Sequence, residues 1–303
     1  MNKKNNIAII GAGKISYSLT SALIQAGFNI SIIISKKKKS AESLAKKFHI
    51  KNYSNKLEDI PFKNGIFFLT VPDSQIRILS KDLSKLKLNF TNSIFIHLSG
   101  ALDIFELKSL RIKKAKIASF HIMQTFPSKK IINIKKCFVA IETEDKITQK
   151  IIFNLAGKLF LKPVEIKSSE KTSYHLAGTI ASNFLVGNIF NAELIFNSVF
   201  GKNKNFNNII NPIVQSTLKN IKKFGAVNSL SGPVERGDIQ TIKMHLSSLK
   251  KRNKYLYFNY IIQSLNLLEI VKVKSNKLTE SHIKIKNFLE EKLKDILSFY
   301  HIN

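Results

Sequence analysis

The chain has no tryptophan, a single cysteine, and 20 acidic side chains against 49 basic ones. Each shortage excludes something. One cysteine, Cys137, cannot form an internal disulfide, and inside an apolar stretch without a neighbouring histidine it reads as a small core residue and not as a nucleophile. No apolar run reaches membrane-spanning length without polar interruption. The apolar run behind the basic start ends at Gly11, too short for a signal-peptide core, so a soluble cytoplasmic protein is expected. There is no zinc-like cluster of Cys and His, no metal site is expected, and no internal repeat is visible.

The shortage of acids leaves a formal net charge of +29. Such a balance suits nucleic acid or an anionic surface. Yet most of the basic residues are lysines, in a chain crowded with the Lys, Ile, Asn and Phe that AT-rich codons supply. Compositional bias spread over solvated faces explains the charge better, and nucleic-acid binding ranks last among the functions considered. With 303 residues, 44% of them hydrophobic, the chain can bury more than one core.

What is present begins with Ile7-Ala8-Ile9-Ile10-Gly11-Ala12-Gly13-Lys14-Ile15-Ser16. A strand-length apolar run breaks at two glycines and continues as a helix through Ala26. Gly11 permits the sharp turn, Gly13 lets a pyrophosphate approach, and the backbone N–H groups from Gly13 through Lys14 and Ile15 point at it. Ser16 stands where G-x-G-x-x-G has its third small residue, so its hydroxyl needs a partner or the helix must stand off from the strand. The second apolar run, Asn29 to Ile34, ends in Ser35-Lys36-Lys37-Lys38-Lys39. An acid there would bind a ribose 2′-hydroxyl; its absence, with Ser35 and Lys36 in its place, favours NADP over NAD by roughly tenfold.

Further apolar runs end in polar turns. Gly65 to Thr70 stops at Val71-Pro72-Asp73, where Asp73 or Ser74 can cap a helix, and a loop with Asn52 and Asn55 is expected before it. Ser93 to His97 ends in Ser99-Gly100, and Lys116 to Phe120 ends in His121-Ile122-Met123-Gln124. In a doubly wound sheet all these ends share the rim where cofactors bind. His97 reads as a surface or capping residue. His121 divides evenly between a structural and a functional reading. Cys137 to Thr143 and Pro163 to Ile166 extend the sheet.

From Ser168 onward only helices are expected. Lys171 to Asn197 is apolar around most of its circumference, which predicts burial on nearly all sides. His175, Thr179, Ser182 and Asn183 nevertheless stand at i, i+4, i+7 and i+8, on one face. A buried polar side chain without a partner costs about 1–3 kcal/mol, so the stripe reads as a cleft wall. A helix interrupted by Pro212 follows, then a loop, Ser231-Gly232-Pro233-Val234-Glu235-Arg236-Gly237-Asp238. Arg236 either clamps a substrate anion bidentately or pairs with Glu235 or Asp238.

These segments, together with His-Leu-Ser-Gly-Ala at 97 to 101, Ser-Phe-His-Ile-Met-Gln-Thr-Phe at 119 to 126, His-Leu-Ala-Gly at 175 to 178 and Ala-Ser-Asn-Phe-Leu-Val at 181 to 186, resemble a bacterial family. It pairs a Rossmann-like domain with the domain of unknown function numbered 2520, and is similar in layout to pyrroline-5-carboxylate reductase and ketopantoate reductase. Ile122 stands where that pattern has proline. The resemblance implies a Rossmann-like domain over 1–168 with a mostly parallel sheet. A helical domain of the phosphogluconate-dehydrogenase type follows over 169–303, often used for homodimerisation.

The expected activity is hydride transfer between NADP and a small carbonyl or imine substrate. His175 would be acid or base, Ser182 and Asn183 would orient the substrate, and His121 is the second candidate. Gln124, Thr179 and Arg236 are substrate-binding candidates. Gly11, Gly13, Lys14, Ile15, Ser35, Lys36, Val71, Pro72, Asp73, Ser99 and Gly100 are assigned to the cofactor. An NADP-binding sensor or scaffold without turnover is the alternative.

Overall fold

The computed structural model describes residues 6–61, 63–201, 205–250 and 252–299. By compactness the chain divides into two units, Met1–Val186 and Gly187–Asn303. In the first, strands β1 (Ile7–Ile10), β2 (Ile30–Ile34), β3 (Tyr53–Ser54), β4 (Ile66–Leu69), β5 (Ile94–His97), β6 (Lys116–Ile122), β7 (Phe138–Thr143) and β8 (Lys162–Glu165) form one sheet. Their order is β3-β2-β1-β4-β5-β6-β7-β8. Every neighbouring pair is parallel except β6 and β7. Helices α1 (Lys14–Gln25), α2 (Lys38–Lys47), α3 (Asp73–Leu83), α4 (Lys108–Ile112), α5 (Lys146–Lys158) and α6 (Lys171–Thr179) complete it.

The continuous apolar runs follow from burial on both faces. Ile9, Phe68, Ile96 and Phe120 pack with Leu19 and Leu23 of α1 and Ile152 and Leu155 of α5. Ile10, Phe67, Phe95 and Ile117 face the other way, onto Ile76 and Leu83 of α3 and Leu110 of α4. That second face turns polar at one end: His97, Ser119 and Glu142 lie side by side across β5, β6 and β7, all buried.

The sheet departs from expectation in two places. The segment around Asn52 and Asn55 contains the edge strand β3, held where Ile33 N–H donates to the Asn52 carbonyl and Ser35 N–H to that of Ser54. And β6 runs on through Ile122, which pairs with Val139, because isoleucine, unlike proline, leaves the backbone free to continue the ladder.

The helix expected over 171–197 is α6, then a wider π turn at Ile180–Phe184, then α7 (Leu185–Phe200). It is not buried on nearly all sides: Leu176, Ile180, Phe184, Val186 and Phe190 are 52%, 52%, 54%, 68% and 56% exposed. Apolar residues all round a helix predict cover, and the described residues do not supply it.

In the second unit follow α8 (Phe206–Asn228), α9 (Ile239–Lys250), α10 (Lys254–Ser275) and α11 (Glu280–Phe299), around Val234, Ile242, Leu246, Ile261, Leu268, Ile285 and Leu289. α8 continues through Pro212 and leaves helical geometry at Gly225, where φ is 77°. Proline removes one helical hydrogen bond; glycine at positive φ turns the chain out of the helix. No helix among the described residues is long and apolar enough to cross a membrane.

Candidate active site

The opening turn is built as a dinucleotide turn. Gly11 has φ 121°, and a Cβ on it would lie 2.4 Å from the Thr70 carbonyl oxygen. Ser16 is buried; its hydroxyl lies 3.1 Å from the Gly11 carbonyl and 3.0 Å from Thr70 Oγ1, and Thr70 in turn donates to the Gly11 carbonyl at 2.9 Å. The serine in the third small position is therefore satisfied within the turn. Gly13 differs from Gly11: it is exposed, with φ −79° and no side-chain cap, and a Cβ there would meet nothing nearer than 3.6 Å. The first N–H groups of α1, at exposed Gly13 and Lys14 and half-buried Ile15, have no capping side chain, and neither α1 nor α2 carries an acid in its first turn. A pyrophosphate fits such an end. Gly11 N–H bonds the Ile34 carbonyl at 2.7 Å, so half-buried Ser35 and exposed Lys36 follow directly beside this turn.

The next two turns of the rim are tied together. Ser99 Oγ donates to the Asp73 carboxylate at 2.7 Å and accepts from the N–H groups of Ala101 and Leu102 at 3.3 and 3.0 Å. Asp73 therefore does not cap its helix; Pro72 stands at the cap, after half-buried Val71. Ser99 and Gly100 are buried. His97, expected at a surface or cap, is fully buried. Its Nδ1 accepts from Ser99 N–H at 3.2 Å and its Nε2 donates to the Asp103 carbonyl at 3.1 Å. Burial first, and the charge of Lys171 second, push its pKa down to about 3.

Gly100 opens the space for a cluster that sequence separates widely. A Cβ on Gly100 would lie 2.7 Å from His121 Nε2 and 2.7 Å from His175 Cδ2. The two imidazoles stand 5.9 Å apart, edge to face. His121 Nδ1 is 3.0 Å from the Tyr174 hydroxyl. Burial, then His175, then Lys171 push His121 down to about 4, while burial pushes the Tyr174 phenol up to about 12. Both are uncharged near neutrality, so the pair can exchange a hydrogen bond without separating charge.

The rest of the stripe is less concentrated. The Thr179 hydroxyl turns back to the His175 carbonyl at 3.1 Å. Half-buried Ser182 and exposed Asn183 sit inside the π turn. In an unbroken α-helix Asn183 would stand about 80° round from His175; the wider turn brings it more nearly into line and sets Ser182 back. No bond ties either to the histidines. Gln124 is exposed and folds onto its own loop, accepting from Thr125 N–H at 2.8 Å and reaching Cys137 Sγ at 3.7 Å. In the helical unit Arg236 is exposed. The acids beside it bond elsewhere, Glu235 with Lys274 at 2.9 Å and Asp238 with the N–H and hydroxyl of Thr241, while the Arg236 charge adds to lowering the pKa of both.

Four residues of this constellation escape a sequence reading. Tyr174 could have been suspected as a polar aromatic next to His175, and Glu142 as an acid inside an apolar run. Thr70 and Lys171 carry no signal of their own.

Comparison with known proteins adds two matches. Residues 137–260 match the model of a domain of unknown function, DUF2520, and residues 6–96 match the model described as NADP oxidoreductase coenzyme F420-dependent. Both halves of the resemblance thus recur as matches. No curated protein sequence matches the chain. Among solved structures, a protein of Bacteroides fragilis provisionally named an NADP oxidoreductase superposes with TM-score 0.74 at 22% identity, over 86% of this chain and 97% of that one. An imine reductase from Myxococcus stipitatus in complex with NADP+ gives 0.63 at 17%, over 94% and 99%. A pyrroline-5-carboxylate reductase from Coxiella burnetii gives 0.54 at 14%, over 95% and 98%. These likenesses establish the fold: a Rossmann-like domain followed by a helical region.

Proposed function

We propose that this chain is an NADP-dependent oxidoreductase that moves a hydride between the nicotinamide and a small carbonyl or imine compound. The observation that carries the reading is the meeting of Gly100, His121, Tyr174 and His175 within the unit that holds the dinucleotide turn. The match of residues 6–96 to an NADP oxidoreductase model supports the choice of cofactor. The bound cofactor would supply the hydride. This chain's residues then have to hold the pyrophosphate at Gly11, Gly13, Lys14 and Ile15, and the adenosine side at Ser35 and Lys36. Val71, Pro72, Asp73, Ser99 and Gly100 shape the remaining rim.

The proton that accompanies the hydride is managed by His175, with the neutral His121–Tyr174 pair beside it. Ser182, Asn183 and Thr179 are assigned to substrate orientation, and Gln124 to contact once its loop bonds are exchanged. Arg236, exposed and with the hydrogen bonds of its neighbouring acids directed elsewhere, would take an anionic group. We assign the division at 168/169 a functional meaning: α6 and the helices after it carry substrate chemistry, although α6 packs with the sheet unit through Lys171 and Gly178. The exposed apolar side chains of the helices support a homodimer, and a cytoplasmic setting is expected.

The test is a screen of small aldehydes, ketones and imines for NADPH oxidation, repeated with His175→Ala. Turnover lost in that variant supports the reading. Cofactor binding without turnover on any substrate would favour the sensor alternative.

A further inference from the structure

Lys171 is the buried lysine among the described residues, with 2% of its side chain exposed. Its ammonium lies 2.6 Å from Ser119 Oγ, 3.4 Å from the Ser99 carbonyl and 3.4 Å from Glu142 Oε2. Glu142, itself 4% exposed, also accepts from Ser168 Oγ. Buried ion pairs are often no more stabilising than packed hydrocarbon of the same volume, so stability alone does not account for this one.

Its anchors do. The Ser99 carbonyl precedes Gly100, which lies against both imidazoles. Ser119 stands two residues before His121 in β6, so their side chains share one face. Lys171 opens α6 one turn before His175. Of the four segments that meet at the ammonium, three carry the cluster, and the fourth, β7, supplies Glu142.

We propose that Lys171, paired with Glu142, is a positioning residue of this site, clamping the Ser99–Gly100 turn, β6 and α6 together around the imidazole of His121. The proposal rests on the reading of the cluster as the place of proton transfer. The charged and titratable groups around His121 are Tyr174, His175 and Lys171 from α6, His97 from β5 and Glu142 from β7. Asp73 and Asp103 act on Lys171 from the rim. Burial first, then His175 and then the ammonium of Lys171 oppose a proton on His121. Lys171 is itself drawn below the ordinary lysine range by burial, against the pull of Glu142.

The experiment is an NMR titration of the histidine side chains in the full-length protein, with His121→Gln assigning the signal. Lys171→Met is compared with Lys171→Met/Glu142→Gln, which removes both buried charges and strands no carboxylate if the single variant does not fold. Proton binding at His121 should tighten roughly threefold to tenfold in Lys171→Met, and in the same direction but by less in the double variant, which also removes the carboxylate charge. The acid limb of the kcat profile should move up with it, and Lys171→Arg should keep both at wild-type values. An ordinary imidazole titration of His121 in the wild type, or an unchanged one in the variants, overturns the proposal. The titration needs neither cofactor nor substrate, so failure to find turnover would overturn the functional reading without deciding this one.

Discussion

The hydroxyl of Ser16 lies 3.0 Å from Thr70 Oγ1, and both hydroxyls converge on the Gly11 carbonyl. The place where a dinucleotide turn ordinarily has a third small residue is thus filled by a hydrogen-bonded pair that joins α1 to the end of β4. Ser16→Ala should cost about 0.5–1.5 kcal/mol in urea unfolding, with cofactor affinity unchanged. Gly11→Ala, with a Cβ 2.4 Å from the Thr70 carbonyl and a backbone at φ 121°, should fail to give folded protein. A stable Gly11→Ala variant would contradict this description of the turn.

Acid should unfold the protein through its buried imidazoles. The pKa values of His97 and His121 are depressed to about 3 and about 4, so between those values and the unfolded value near 6.5 the unfolded state binds the extra protons. Stability is complete above about pH 6.5 and falls as the pH drops below it, by on the order of 2 kcal/mol per histidine between pH 7 and pH 5. Urea midpoints at the two pH values check this. The loss should shrink in His97→Gln/His121→Gln, and an equal loss in that variant would place the acid sensitivity elsewhere.

How much of this was legible beforehand depended on whether the signal was local. The strands over Ile7–Ile10, Ile66–Leu69 and Ile94–His97 are readable because burial on both faces demands unbroken apolar runs. His121 and His175 stand out as polar side chains at the end of a strand and on an apolar helix. Tyr174 does not announce its partner, because it meets His121 across 53 positions of sequence. Lys171 is hidden by composition: in a chain so rich in lysine, only the structure shows which one is inside. The two-residue β3 is too short to carry a period, and the π turn leaves no periodic signature while changing which residues share a face. Apolar character all round α7 is visible in the sequence, but its cover is not.

Chemistry at the cluster predicts a divided mutational response. His175→Ala should lower kcat about 10²-fold or more on any substrate that is turned over, as expected for loss of acid–base help. Tyr174→Phe, which removes the partner of His121 Nδ1, should lower kcat less and leave KM for the cofactor unchanged. Steady-state kinetics on the two variants check this, and full turnover by His175→Ala would remove it from the reaction.

The exposed apolar side chains of α7 and α8 predict a dimer in solution. Light scattering after gel filtration should give twice the chain mass, and Ile213→Asp, at a position 62% exposed, should shift the protein toward the monomer. A monomeric wild type would contradict the homodimer.

The central claim is that the turn from Gly11 to Ile15 holds NADP. Isothermal titration of NADPH and NADH against the wild type and Gly13→Ala tests it most directly, since a Cβ at Gly13 has room within the protein but would stand where the pyrophosphate is placed. NADPH should bind roughly tenfold tighter than NADH, and Gly13→Ala should fold yet lose most of that affinity. No binding of either nucleotide by the wild type, or undiminished binding by Gly13→Ala, would contradict it.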